Sequence, residues 1–351
     1  MREISGRSIS VPSRTSAPAL PLVVFFHRKP YPTGHYSLEA IFADLRKRLA
    51  GRIAAEVFEC RYFSRGVVKR LANTVEAAFH QGDVNVITGD IHYVSLFLAK
   101  RKTLLVIHDC GFYHTSKGMK RALEKLFWYT LPVARVARVV TVSEFSKEEI
   151  LRLTACPADK VVVIPNPVAD HYTFTPKPFR QDRPVLLQVG QAANKNLFRI
   201  IEAIRGLDVK LVIIGQVSGP ILSHLQESGI DFEVRCRLTD QEMFNAYVQC
   251  DMLIFPSTYE GFGMPIIEAQ RVGRPVVTSN VASMPWVAGD AACLVDPLSV
   301  ISIREGILKV WHDAAYREEL VARGRGNAER FDPRRIADQY LELILMLYND
   351  R

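Results

Sequence analysis

Two carboxylates, Glu260 and Glu268, stand eight residues apart across the turn Gly261-Phe262-Gly263-Met264. The run before them, Asp251 to Ser257 (DMLIFPS), is apolar and about the length of one buried strand. After the turn, Pro265 sits where a helix can begin, because the first N–H groups of a helix are unpaired anyway. At 1.5 Å of rise per residue, eight residues allow a separation of up to roughly 12 Å. That is long for two acids acting on one glycosidic bond, which needs about 5 to 9.5 Å. It suits two acids gripping hydroxyls at opposite ends of an extended ligand, with a diphosphate between them. A strand feeding through a glycine turn into a helix start also aims free N–H groups and a positive dipole end at the space above it, where a phosphate fits. The plain alternative is a structural loop with one capping acid and one solvated helix acid.

A second constellation lies upstream. Pro184 to Gly190 (PVLLQVG) reads as a strand ending in glycine, and Lys195 follows at a helix start. Gly190 and Lys195 together make a plausible anion cradle, the lysine acting as a point charge on a diphosphate. Alone such a pattern is weak; beside Glu260 and Glu268 it becomes the second half of one site. His108 and Asp109 stand just past another strand, in Thr103 to Asp109 (TLLVIHD). A histidine there can hydrogen-bond a sugar hydroxyl, or it can simply be satisfied at a sheet edge. Asp90 and His92 could face an acceptor or stabilise a turn. Ser143 has the position of an N-cap before the helix in TVSEFSKEEI.

The segment EGFGMPIIEA, residues 260–269, resembles the Glu-x7-Glu signature of the retaining glycosyltransferases of group 1 (family 4). The resemblance runs from about residue 20 to 349 and is strongest between 184 and 297. It implies the two-domain GT-B fold: α/β, two Rossmann-like doubly wound parallel-sheet domains facing a cleft, with a C-terminal helix crossing back to the first. It implies that Glu260 contacts the transferred sugar, that Glu268 holds the ribose of a nucleotide-diphosphate sugar, and that the backbone of Phe262, Gly263 and Met264 meets the phosphates. His108 would face the donor sugar, and Lys195 would supply positive charge without a divalent metal or other cofactor. The acceptor would be a glycan or a lipid-linked molecule, with bacterial envelope polysaccharide assembly as the setting. Three places depart from the family pattern. Gly34 stands alone where two adjacent glycines are usual, Gln191 and Asn194 stand where an arginine often does, and Trp286 replaces a glutamate after Pro285. A nucleotide-sugar epimerase or hydrolase on the same fold, and a non-catalytic binding relic, are the rival readings.

Strand candidates at Leu22 to Phe26, 53–60, 84–88, 103–107, 138–142 and 160–164 alternate with helix candidates ending at Leu49 and at 67–81, 117–130 and 144–153. Their apolar runs are continuous rather than alternating, which argues for parallel sheets covered on both faces. Residues 171–183 hold prolines and charges without periodicity and read as a linker. The expected division is a tail at 1–19, a first domain at 20–170, the linker, a second domain at 184–330 and a crossover helix at 331–351.

The 351 residues leave room for about two domains. No apolar run approaches the roughly 20 residues of a membrane span, and the first 19 lack the apolar core of a secretory signal. The six scattered cysteines read as reduced core thiols. Residues 1–170 carry 25 Lys+Arg against 15 Asp+Glu, a net of +10, and the remainder carries 20 against 22. A basic first half suggests an anionic partner such as a membrane surface or lipid-linked phosphate; a solubilising excess is the alternative. No nucleic-acid module is visible. Lys117 to Tyr129 (KGMKRALEKLFWY) mixes cations with aromatics and could lie in a membrane interface, but a core helix with a solvated basic face is the preferred reading. The expected location is the cytoplasm, with peripheral contact at the inner membrane face as an option.

Overall fold

The structure, a computed structural model, describes residues 20–30 and 37–350. The expected tail, Gly34 and Arg351 lie outside the described residues. Two six-stranded sheets form, and every strand pairing in them is parallel. The first contains β1 (Leu22–His27), β2 (Ala54–Glu59), β3 (Val84–Ile87), β4 (Thr103–Ile107), β5 (Arg138–Thr141) and β6 (Val161–Val163), in the order β2-β1-β3-β4-β5-β6. The second contains β7 (Val185–Val189), β8 (Lys210–Ile214), β9 (Asp231–Arg235), β10 (Met252–Phe255), β11 (Val276–Ser279) and β12 (Cys293–Val295), in the order β12-β11-β10-β7-β8-β9.

The physical reason is visible in β1. Val23 and Phe25 enter one core, Val24 and Phe26 the other, as the two-residue period of a strand requires. Both faces are dry because helices cover both. In the second domain Leu186 and Leu187 divide between two cores in the same way. Edge strand β2, with its sequence AAEVFE, is mostly exposed.

The last helix, Pro333–Asn349, begins at Asp332, whose side chain accepts from the N–H groups of Arg334 and Arg335. It then lays Ile336, Tyr340, Ile344 and Leu347 against Val23, Phe25 and Leu104 of the first sheet. The chain's end therefore crosses back onto its first domain, as the family resemblance implied. Residues 171–183 form no helix or strand. Arg274 donates to the Thr175 carbonyl, and Lys177 pairs with buried Asp251 at 2.5 Å, so this stretch is fastened to the second domain.

Several sequence expectations need correction. The 117–130 helix is α-helical over Gly118–Glu124 and widens into π-type turns over Lys125–Thr130. Its apolar side covers the core only at its end: Tyr129 is buried there and Trp128 packs against it, whereas Met119 is 81% exposed and Leu123 51%. The helix Gly219–Ser228 buries only Ile221 and Leu225, two positions that make no readable period. All six cysteines are free, but Cys236 is exposed rather than in the core. Among the described residues no helix is long and apolar enough to cross a membrane.

Candidate active site

In an open parallel sheet the ligand crevice forms at the carboxyl ends of the strands, where the strand order reverses direction. In the second sheet that point lies between β7 and β10, which pair directly. The two loops singled out from sequence leave these two strands. After β7, Gly190 takes a φ of 92°, and a side chain there would run into Lys195, whose Cε lies 2.9 Å from the place of a Cβ. A single turn, Ala193–Lys195, leads to Asn196 in the left-handed region and the helix Leu197–Ile204. After β10, Gly263 at φ 110° turns the chain into the helix Met264–Val272, with no side chain capping its start. The uncapped N–H groups of that helix face the crevice end of the sheet.

The crevice joins what the sequence separates. Lys195 Nζ reaches Glu260 Oε1 at 2.6 Å, across 65 residues of chain, and lies 4.6 Å above the Phe255 ring. Asn194 stands where the family often has arginine. Its amide donates to the Tyr259 carbonyl at 2.9 Å and to Glu260 Oε1 at 3.2 Å, and its carbonyl accepts from the Thr258 N–H. Asn194 thus ties the two loops together. Ser283 donates to the carbonyls of Glu260 and Phe262. Phe262 is buried edge-on to Phe331 at 5.5 Å, an anchor for the loop rather than a contact surface, so only its backbone remains for a ligand. Gln191 is exposed at the rim.

Glu268 lies one turn into the helix and accepts from Tyr247 Oη at 2.6 Å. Protein packed round the carboxyl raises its pKa to about 7; the tyrosine and, more weakly, Lys195 act the other way. Tyr247 is buried, and its hydroxyl positions this acid. A buried tyrosine needs a partner for its hydroxyl, a signal that cannot name the partner.

The first domain closes the crevice from the other side. Ser143, the expected N-cap, accepts from Ser146 N–H and donates to the Gly261 carbonyl at 2.7 Å. Ser146 donates to the same carbonyl. Tyr259 donates to Glu149 Oε2 at 2.7 Å and accepts from the Cys110 N–H; Glu149 also meets His114 Nε2 at 2.5 Å. A Cβ on Gly261 would stand 2.4 Å from the His108 carbonyl oxygen. Neither Tyr259 nor Glu149 was picked out from sequence.

His108 therefore lies beside the Glu260 loop. Both its ring nitrogens are buried without a hydrogen-bond partner among the described residues, and burial lowers its pKa to about 4. The ring is neutral near pH 7, with one N–H to give and one lone pair to offer. Asp109 accepts from the Gly111 N–H at 2.7 Å and orients the turn. Asp90 pairs with Arg28 at 3.1 Å, at the carboxyl ends of β3 and β1. His92 is buried against the Trp128 carbonyl, a structural role. Trp286, at the third departure, packs on Phe331 and under the Arg330 guanidinium at 5.0 Å, a repacked turn. Among the described residues no group of three or more His, Cys, Asp or Glu is arranged to hold a metal ion.

Comparisons with known proteins agree with this architecture. A family model described as glycosyl transferases group 1 matches residues 173–327, and one described as glycosyltransferase family 4 matches 43–171. The O-antigen chain mannosyltransferase B of Escherichia coli is 32% identical over 248 residues, 64% of each chain. The chain thus spans under two thirds of that relative. The O-antigen chain mannosyltransferase RfbU of Salmonella typhimurium is 27% identical over 207 residues, 56% of this chain and 57% of that one. Among solved structures, Anabaena Alr3699/HepE in complex with UDP and glucose superposes with a TM-score of 0.76 at 17% identity, over 93% of this chain and 100% of that one. WaaG, a glycosyltransferase involved in lipopolysaccharide biosynthesis, gives 0.72 at 16% identity, over 92% and 99%.

Proposed function

This chain belongs to the group 1 glycosyltransferases, and from that premise we propose that it transfers a hexosyl unit, with retention, from a nucleotide-diphosphate sugar to a glycan or lipid-linked acceptor. Relatives named as O-antigen mannosyltransferases favour mannose as the unit and envelope polysaccharide synthesis as the setting. The observation that carries the reading is the meeting of Lys195 and Glu260 at the reversal of strand order, with His108 beside their loop.

The donor lies along the crevice with its ribose hydroxyls on Glu268, its diphosphate on Lys195 and the N–H groups that open the Met264 helix, and its sugar on Glu260. His108 donates to a sugar hydroxyl. The bond from the anomeric carbon to the diphosphate oxygen breaks, and the acceptor oxygen bonds to that carbon from the same face. The acceptor's proton passes to the departing phosphate oxygen. Charge grows on the diphosphate as the bond stretches, and preorganised N–H groups and an ammonium lower the barrier most there. Glu260 positions the sugar; it is not the nucleophile. The positive charge comes from Lys195 and the helix start, so turnover continues in excess chelator.

A thermal-shift screen with GDP-mannose and with UDP-, ADP- and TDP-sugars tests donor binding, since a ligand of the folded state raises its melting temperature. Positive donors are then assayed with and without acceptor glycans. Transfer that disappears in Lys195→Ala, Glu260→Ala and His108→Ala supports the assignment. Donor consumed at the same rate without acceptor would replace it with an epimerase or hydrolase.

A further inference from the structure

We propose that the face built by helix Val67–Ala78 and the segment 117–130 docks on an anionic lipid bilayer. The claim that this delivers a membrane-resident acceptor to the crevice rests on the transferase reading; the docking itself does not.

The two elements lie side by side and enclose an open groove of about 670 Å³, lined by Val67, Leu71, Phe97, Met119, Leu123 and Phe127 among others. Val67 is 79% exposed and Met119 81%. An apolar patch of this kind, kept in water, marks a surface meant to be covered. Its charges are one-sided. Residues 67–78 and 117–130 hold six cations, Lys69, Arg70, Lys117, Lys120, Arg121 and Lys125, against two acids, Glu76 and Glu124. Arg70 stacks on Trp128 at 4.3 Å and Arg121 on Tyr113 at 4.0 Å. Among the described residues Lys120 pairs with an acid of the face, Glu124 at 3.7 Å, and none of the other five cations does. Apolar side chains flanked by lysines and arginines are what a helix needs to enter the headgroup layer.

Charge also selects the occupant. A two-fold contact sets the same patch against itself, placing cations on cations, so a second copy fits badly. A leaflet rich in anionic headgroups complements both parts of the face. The groove shares Arg70, Glu124 and Trp128 with a smaller pocket of about 240 Å³, which extends to Arg28, Lys29 and Asp90 at the carboxyl edge of the first sheet. The face thus continues into the acceptor side of the crevice.

The test is co-sedimentation of the full chain with vesicles of equimolar phosphatidylglycerol and phosphatidylcholine, and with phosphatidylcholine alone. Binding to the anionic vesicles that weakens with salt, and little binding to the neutral ones, is expected. Lys117→Ala with Lys125→Ala should lower the partition about 25-fold, at about fivefold per cation. Met119→Asp with Leu123→Asp should abolish it. Both positions are exposed, so melting temperature and donor-induced thermal shift stay at wild-type values. Equal binding to both vesicle types, no binding, or wild-type binding by these variants would overturn the proposal. So would a wild-type dimer that fails to bind vesicles and that Met119→Asp with Leu123→Asp converts to a monomer; the face would then belong to a second copy. A chain that docks but transfers no sugar retains this proposal and loses the transferase reading.

Discussion

Lys195 Nζ and Glu260 Oε1 are 2.6 Å apart, so the cation assigned to the diphosphate is already held by the acid assigned to the sugar. Both side chains are largely shielded from solvent, which makes the pair stronger than a surface ion pair. A diphosphate must compete with that carboxylate for the lysine. Glu260→Gln should therefore bind the sugar-free nucleoside diphosphate about tenfold more tightly, the scale of one charge-assisted hydrogen bond, while losing transfer. Lys195→Ala should weaken the same ligand by about as much. Calorimetry on the two variants decides it; unchanged affinity in both would remove the lysine from the phosphate site.

Glu268 makes a pH-dependent contribution with a definite sign. Its pKa is about 7 in the folded protein against 4.5 for a free glutamate side chain. Between those values the folded chain keeps a proton that the unfolded chain has released. Stability from this group is full below pH 4.5 and is lost as pH rises through 7. Melting temperature of wild type should thus fall relative to Glu268→Gln across that window, and a flat difference would refute the buried-acid assignment.

The same group governs ligand binding in the opposite sense. In the proposed donor pose ionised Glu268 accepts from the ribose hydroxyls, so nucleotide affinity should climb as pH passes 7. Tyr247→Phe removes a bond that stabilises the charged form and should move that climb to higher pH. Equilibrium titrations at several pH values would show the displacement.

Gly261 sets how closely the domains meet. A methyl group there would lie 2.4 Å from the His108 carbonyl oxygen and 2.6 Å from Asp109 Cβ. Gly261→Ala should pry the loop from the first domain and lower kcat about a hundredfold, the cost of a 1 Å misplacement, with the melting temperature little changed. A larger radius of gyration in X-ray scattering would accompany it; wild-type turnover would show that the contact is not needed.

Trp286 should act on stability alone. Its indole packs between Phe331 and Arg330 and is half-buried. Trp286→Ala should cost about 2 kcal/mol, below the range for a fully buried tryptophan, and leave donor affinity intact. A large loss of donor affinity at unchanged stability would place Trp286 in the binding pocket instead.

Much of the architecture was legible because it repeats locally. Apolar runs such as LLVI in β4 announce strands buried on both faces, and glycines past β7 and β10 announce the two turns. The candidate residues Glu260, Glu268, Lys195 and His108 were readable because they lie in the turns and helix starts that follow strands, and because EGFGMPIIEA resembles a family signature. What the sequence could not state was which of them touch. The bond from Tyr247 to Glu268 depends on a helix packing 21 residues away. Asn194 looked like a weakened arginine position, yet it bridges two loops from neighbouring strands. Tyr259 and Glu149 carried no signal at all, being 110 residues apart in different domains. The segment 117–130 had the composition of a core helix, and only its packing left Met119 and Leu123 in water. Residue order determined the strands, turns and helix starts, because backbone preference and burial period act over a few residues. Pairing across the crevice, the perturbed acid and the uncovered face were decided by the tertiary structure, because they depend on distances that the chain sets only after both sheets have formed.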